Sequence, residues 1–192
     1  MNRSEIIHII HLVNDPKYPH REEREKSVIE QMEMEGCRYR FWPGIIEKPK
    51  KAGINKAHRQ IVQWTKDNNL PNVFIAEDDL KWYGKGAWKY FLDNMPDDYD
   101  LYLSSYYSGR ADENNIIQSF SGLTLYSVKN SYYDTYLSTP DNGHIDTALS
   151  MAGGKFVVSP KFVTYQMPSF SEQRGRFADD SNRHKGKLIF GQ

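Results

Sequence analysis

Asn72-Val73-Phe74-Ile75-Ala76-Glu77-Asp78-Asp79-Leu80 decides how this chain is read. Val73 to Ala76 form a short apolar run, with Leu70-Pro71 before it and three acids behind it. A run this short, fully apolar and flanked by breakers reads as a buried strand of an α/β sheet. Glu77, Asp78 and Asp79 then emerge at the strand's carboxyl end, where open α/β sheets bind their ligands. Adjacent carboxylates repel, so three at one strand tip call for a positive partner. Hard oxygen ligands favour Mg2+ or Mn2+, and either ion can bridge a diphosphate. The competing reading of the three acids is a solvated turn.

Working outward from that strand, the flanks alternate in the same way. Toward the N-terminus, Gly53 to Asn68 reads as a helix, with Ile54, Ala57, Ile61 and Trp64 at helical spacing. His58 lies beside that stripe, as a hydrogen-bonded packing residue or as a ligand. Pro43 to Lys51 is a loop, Cys37 to Trp42 a strand, and Arg21 to Glu35 a helix stopped by Gly36. Arg21 and Arg24 fall in the first turn expected for that helix, where the macrodipole disfavours cations. Holding a phosphate is one use for them; solvation or pairing with Glu22 or Glu25 is the other. Glu5 to Val13 reads as the first strand.

Toward the C-terminus, Gly84 to Met95 reads as a helix, Tyr99 to Ser104 as a strand and Ser105 to Asn115 as a polar loop. Ser121 to Val128 reads as a strand and Ser131 to Leu137 as a helix. Pro140-Asp141-Asn142-Gly143 is a turn, and His144 to Met151 a helix with Asp146 in its first turn. Lys155 to Val158 and Phe162 to Met167 complete the strands. The reading is one α/β domain over 1–170 and a polar, basic tail over 171–192. Arg174, Arg176, Arg183, Lys185 and Lys187 make that tail either a solvated appendage or a lid over an anionic ligand.

Composition narrows the function classes. Lys plus Arg and Asp plus Glu are 25 each, so no global field attracts nucleic acid or an anionic membrane. The lone Cys37 excludes an intrachain disulfide and a cysteine-cluster zinc site, and points to a cytoplasmic setting. The apolar stretch Ile6 to Val13, broken by His8 and His11, is too short and polar for a membrane span or a signal peptide.

Several residues also stand in an order known from one family. They are Arg21 or Arg24, Gly53 with His58, Glu77-Asp78-Asp79, Tyr99-Asp100, Gly122-Leu123-Thr124-Leu125-Tyr126, His144-Ile145-Asp146, and Gln166 with Ser169. This series resembles the family 25 glycosyltransferases, of the lipooligosaccharide-biosynthesis type, from residue 6 to residue 173. Ile54 and Ala57 replace the Cys and Ser usual before the family's His, and Leu123 interrupts its Gly-Thr pair.

The resemblance implies a GT-A fold: a mixed, mostly parallel sheet flanked by helices on both faces. It implies an inverting transfer of a sugar from a nucleoside diphosphate, with a UDP-sugar the foremost donor. Asp79, helped by Glu77, is then expected to hold Mn2+ or Mg2+. Arg21, Arg24, His58, Glu77 and Asp78 are expected on the donor side. Asp146 is expected to act as the general base, against the plainer reading of a helix N-terminal acid. The acceptor is a hydroxyl on a glycan, a protein or a modified nucleic acid. A non-catalytic nucleotide-sugar or glycan-binding domain of the same fold is the alternative.

Overall fold

The computed structural model describes residues 5–12, 14–140, 143–171 and 174–192. Val13 at the end of the first expected strand, Asp141 and Asn142 of the expected turn, and Glu172 of the tail lie outside the described residues. In chain order the elements are β1 (Ile7–His11), α1 (Pro19–Glu35), β2 (Tyr39–Pro43), α2 (Lys50–Asp67), β3 (Asn72–Glu77) and β4 (Leu80–Trp82). There follow α3 (Ala87–Asp93), β5 (Leu101–Leu103), β6 (Ser108–Ala111), β7 (Ile117–Ser121), β8 (Leu125–Lys129), α4 (Tyr133–Ser138) and α5 (Ile145–Ala152). Last come β9 (Phe156–Val158), β10 (Thr164–Gln166), β11 (Ser169–Ser171) and β12 (Arg176–Ala178).

Six strands form the central sheet in the order β2-β1-β3-β8-β5-β9. Only β8 runs antiparallel to its neighbours; the other pairings are parallel. The mixed, mostly parallel sheet expected from the sequence is therefore present. The twofold alternation of β3 splits the core. Phe74 and Ala76 pack on one face with Ile7, Ile9, Val28 and Met32, under α1 and α3. Val73 and Ile75 pack on the other with Ile61 and Val62, beneath α2, α4 and α5. From β1 the chain passes through α1 to β2 on one side, then through α2 to β3 on the other. The order reverses there, and a crevice opens between the carboxyl ends of β1 and β3.

Three local expectations change. The helix expected from Arg21 begins at Pro19, whose fixed φ suits a first helical position, so Arg24 lies in the second turn. The expected loop over 105–115 contains β6, which pairs antiparallel with β7. The strand expected over 121–128 is two strands, broken at Gly122. There φ is +91°, and a Cβ would stand 2.6 Å from the Tyr107 ring, so only glycine fits the bend. The tail folds back on the domain. His184 is buried and its Nδ1 is hydrogen-bonded to the Tyr83 hydroxyl at 2.7 Å; Phe190 packs on Tyr90 with ring centres 5.2 Å apart.

Candidate active site

The acids of β3 sit where the sheet's order reverses. Pairing of β1 with β3 sets Ile10 beside Glu77, which brings His11 level with Asp78. Pairing of β4 with β10 sets Gln166 opposite Leu80 and returns the chain to the acids, where the Met167 amide donates to the Asp79 carbonyl at 2.7 Å. Around them lies a cleft of about 630 Å³. Its lining includes all seven site residues expected from the sequence: Arg21, Arg24, His58, Glu77, Asp78, Asp79 and Asp146.

Arg24 is the hub. Its Nη1 donates to Asp78 Oδ1 at 2.7 Å and its Nη2 to Asp79 Oδ2 at 2.8 Å. Nε and Nη2 both donate to Ser169 Oγ, at 3.1 and 3.0 Å. Burial alone would weaken the guanidinium's hold on its proton, but Asp79, Asp78 and Glu77 outweigh it and raise its pKa. Asp78 Oδ2 is paired with His11 Nδ1 at 2.8 Å. Asp79 Oδ1 is buried with no hydrogen-bond partner. Burial pushes the Asp79 carboxyl up to about 7; Glu77 and Asp78 add to the rise, and Arg24 opposes it.

Glu77 is held differently. Its Oε2 accepts from Gln166 Nε2 at 2.7 Å, and its Oε1 lies 3.6 Å from His58 Nε2. The side chain keeps 30% of its surface open. Withdrawal from water pushes its pKa up to about 8, and the charges of Asp78 and Asp146 act the same way. His58 is buried and hydrogen-bonded through Nδ1 to the Tyr126 hydroxyl at 2.7 Å, which meets Tyr136 at 2.7 Å. Burial holds it down to about 4, so the ring that faces Glu77 is neutral. His58 is thus the hydrogen-bonded packing residue of the first reading, and it also lines the cleft.

Asp146 comes from the start of α5. Its Oδ2 accepts from the Gly122 amide at 2.7 Å, and its Oδ1 from the Thr147 amide at 2.7 Å. The break at Gly122 that parts β7 from β8 is therefore what anchors this acid. His144 also lines the cleft. Lys56 instead pairs with Glu47 at 2.6 Å. From the tail, Arg174 and Arg183 line the cleft while paired with Asp180 at 3.1 and 2.6 Å.

The residues present do not fit the divalent ion expected on Glu77 and Asp79. Both Asp78 oxygens are taken, by Arg24 and His11. One Asp79 oxygen is taken by Arg24, and the other is buried without a partner. One Glu77 oxygen is taken by Gln166. Among the described residues no group of three His, Cys, Asp or Glu side chains is placed to hold a metal.

His11 was not among the expected residues, although its place at the tip of a strand neighbouring β3 was a usable signal. Gln166 and Ser169 stood only as terminal motif residues; their contacts with Glu77 and Arg24 span 89 and 145 positions.

No protein-family model and no curated protein sequence matches the chain. Solved structures do. A197 from STIV superposes with a TM-score of 0.58 at 7% identity, over 90% of this chain and 91% of that one. The Drosophila β-1,4-galactosyltransferase 7 complex with manganese, UDP-Gal and xylobiose gives 0.51 at 9% identity, over 98% and 77%. A glycosyltransferase involved in glycosylation of the major capsid of PBCV-1 gives 0.47 at 10%, over 93% and 96%. The likeness to the galactosyltransferase 7 structure, at 0.51, and the mixed six-stranded sheet make the fold one of the GT-A kind. No helix among the described residues is long and apolar enough to cross a membrane.

Proposed function

We propose that this chain is a glycosyltransferase of the family 25 type, which moves a sugar from a nucleoside diphosphate, foremost a UDP-sugar, to an acceptor hydroxyl with inversion. The observation that carries the reading is the meeting of Glu77, His58, Gln166 and Asp146 in one cleft at the sheet's reversal point. These groups come from four separate segments, and an ordinary surface turn has no need to gather them.

Chemically, the bond from the sugar's anomeric carbon to the diphosphate oxygen breaks as the acceptor oxygen bonds to that carbon. The acceptor's proton goes to Asp146, whose carboxylate is fixed by two backbone N–H groups. The leaving diphosphate needs positive charge as it departs. Arg21 and Arg24 line the cleft from α1, and Arg174 and Arg183 from the tail, which acts as the lid. Glu77, Asp78 and His58 shape the donor side. The acceptor class is a glycan, a protein or a modified nucleic acid. Mn2+ or Mg2+ on Glu77 and Asp79 is the competing arrangement for neutralising the diphosphate, and would need Arg24 to withdraw.

A thermal-shift screen of nucleoside diphosphates and their sugars, followed by a transfer assay, tests this. A donor at a hundred times its Kd stabilises by about 2.7 kcal/mol, or roughly 5–10 °C for a chain of this size. No shift with any donor overturns the reading. A shift without transfer to any acceptor hydroxyl or to water makes the chain a nucleotide-sugar-binding domain.

A further inference from the structure

The positive partner that the three acids demand is already in the chain. We infer that Arg24 is the built-in counter-ion of the acid cluster, standing where a divalent ion would otherwise sit, so that a nucleoside diphosphate binds this cleft without metal. The choice of diphosphate as ligand rests on the glycosyltransferase reading above; the claim about Arg24 and metal does not.

Valence comes first. A divalent ion of the Mn2+ or Mg2+ type needs several oxygen ligands turned toward it. Here the fork of Arg24 takes one oxygen from Asp78 and one from Asp79, and His11 takes a third. A guanidinium is always charged and its planar fork matches paired carboxylates, so it is a poor leaving partner for them. Metal entry would strip two ion pairs from side chains that are all buried or nearly so. It would also set the ion against the guanidinium's own charge. The Ser169 hydroxyl locks the arrangement by accepting from Nε and Nη2.

Geometry also leaves Arg24 with something to offer a ligand. A guanidinium carries five N–H donors, and the contacts with Asp78, Asp79 and Ser169 leave one Nη1 donor over. Arg24 itself lines the cleft. Arg21, three residues earlier on the same helix, lines it too. Arg174 and Arg183 meet it from the other end of the chain, each paired with Asp180 on a partly exposed side chain. An arriving diphosphate competes with a single carboxylate for those two. Arg21, Arg24, Arg174 and Arg183 thus bring four arginines to the cleft where the phosphates would lie.

The test titrates the full chain with Mn2+ alone, by calorimetry and by thermal shift, and then measures nucleoside diphosphate affinity in EDTA and in Mn2+. Wild-type protein is expected to show no Mn2+ binding below the millimolar range, and a diphosphate Kd that differs by less than about twofold between the two buffers. Arg24→Gln keeps the side chain's bulk and removes its charge. In that variant Asp78 and Asp79 are released, and Mn2+ is expected to bind and raise Tm. Mn2+ binding to the wild type at micromolar Kd, or a diphosphate affinity improved about tenfold or more by Mn2+, overturns the inference. Should Arg24→Gln fail to fold, the wild-type titrations decide the matter alone. Absence of diphosphate binding in both buffers overturns the ligand half and the glycosyltransferase reading together, while the Mn2+ titration still judges Arg24.

Discussion

Asp146→Asn separates catalysis from structure, because its two costs can be worked out independently. In the wild type each carboxylate oxygen accepts a backbone amide, Gly122 N–H at Oδ2 and Thr147 N–H at Oδ1. Asparagine offers one oxygen and one NH2, so one of those amides meets a donor instead of an acceptor. A hydrogen bond to a charged group contributes about 1.5–3 kcal/mol, and the variant should lose one such bond. For a chain of this size that lowers Tm by roughly 3–12 °C. The proton-accepting role is a separate loss. An amide cannot take the acceptor's proton, and a positioned base contributes about 10²–10⁴ in rate. The variant should thus stay folded at 25 °C, keep donor affinity within about threefold, and lose turnover by at least a hundredfold. Urea denaturation, donor titration and single-turnover transfer measure the three quantities on one preparation. A Tm drop with near-normal turnover refutes the base and leaves Asp146 as the staple between α5 and the Gly122 bend. Loss of donor binding refutes it too, and moves Asp146 to the donor side.

Four more outcomes follow from the same geometry. Glu77 is held up at about 8, above its ordinary 4.5, so the folded state keeps a proton that the unfolded chain releases; Tm should therefore fall as pH rises from 6.5 to 8.5, and Glu77→Gln should flatten that slope in a pH series of thermal melts. Between pH 6.5 and 4 the buried His58 and His184, held down at about 4, pull the other way, because the unfolded chain takes up protons there that the folded rings refuse; His184→Gln should therefore gain stability relative to the wild type on acidification over that range in a pH series of thermal melts. Tyr126→Phe removes the hydroxyl between His58 and Tyr136 and leaves two buried polar groups short of a partner, which should cost about 2–4 kcal/mol in urea denaturation. Gly122→Ala drives a methyl into the Tyr107 ring at a φ of +91°; a loss of about 2–4 kcal/mol is expected, with turnover falling because Asp146 loses its anchor.

What was legible in the sequence is what depends on neighbours a few positions apart. The apolar run of β3 and the stripes of α1 and α2 bury short-range patterns, and the structure places them within a turn of where those patterns end. The departures have equally local causes. Gly122 breaks a continuous apolar stretch because its backbone is bent into the left-handed region, and hydropathy does not register φ. The β6–β7 hairpin is polar and only Ile117 and Phe120 of β7 are buried, so it lacks a core-facing signal for most of its length. The tail's anchors, His184 and Phe190, are single residues among polar neighbours.

The site was legible as a set of residues and not as a set of contacts, and the difference falls on Arg24. Its place near the start of a helix marks it as a cation in search of an anion, and a phosphate is one candidate. The other candidates, Glu22 and Glu25, are sequence neighbours. The anions it actually meets lie 54 and 55 positions away, and become visible only once β1 pairs with β3 and sets α1 over the strand tip. Three adjacent acids pose the same question from the other side, since their repulsion demands a cation without naming it. Either a metal or an arginine answers that demand in charge, but only the arginine does so with no ligand from outside the chain. Each of the two oddities in the sequence is therefore the explanation of the other.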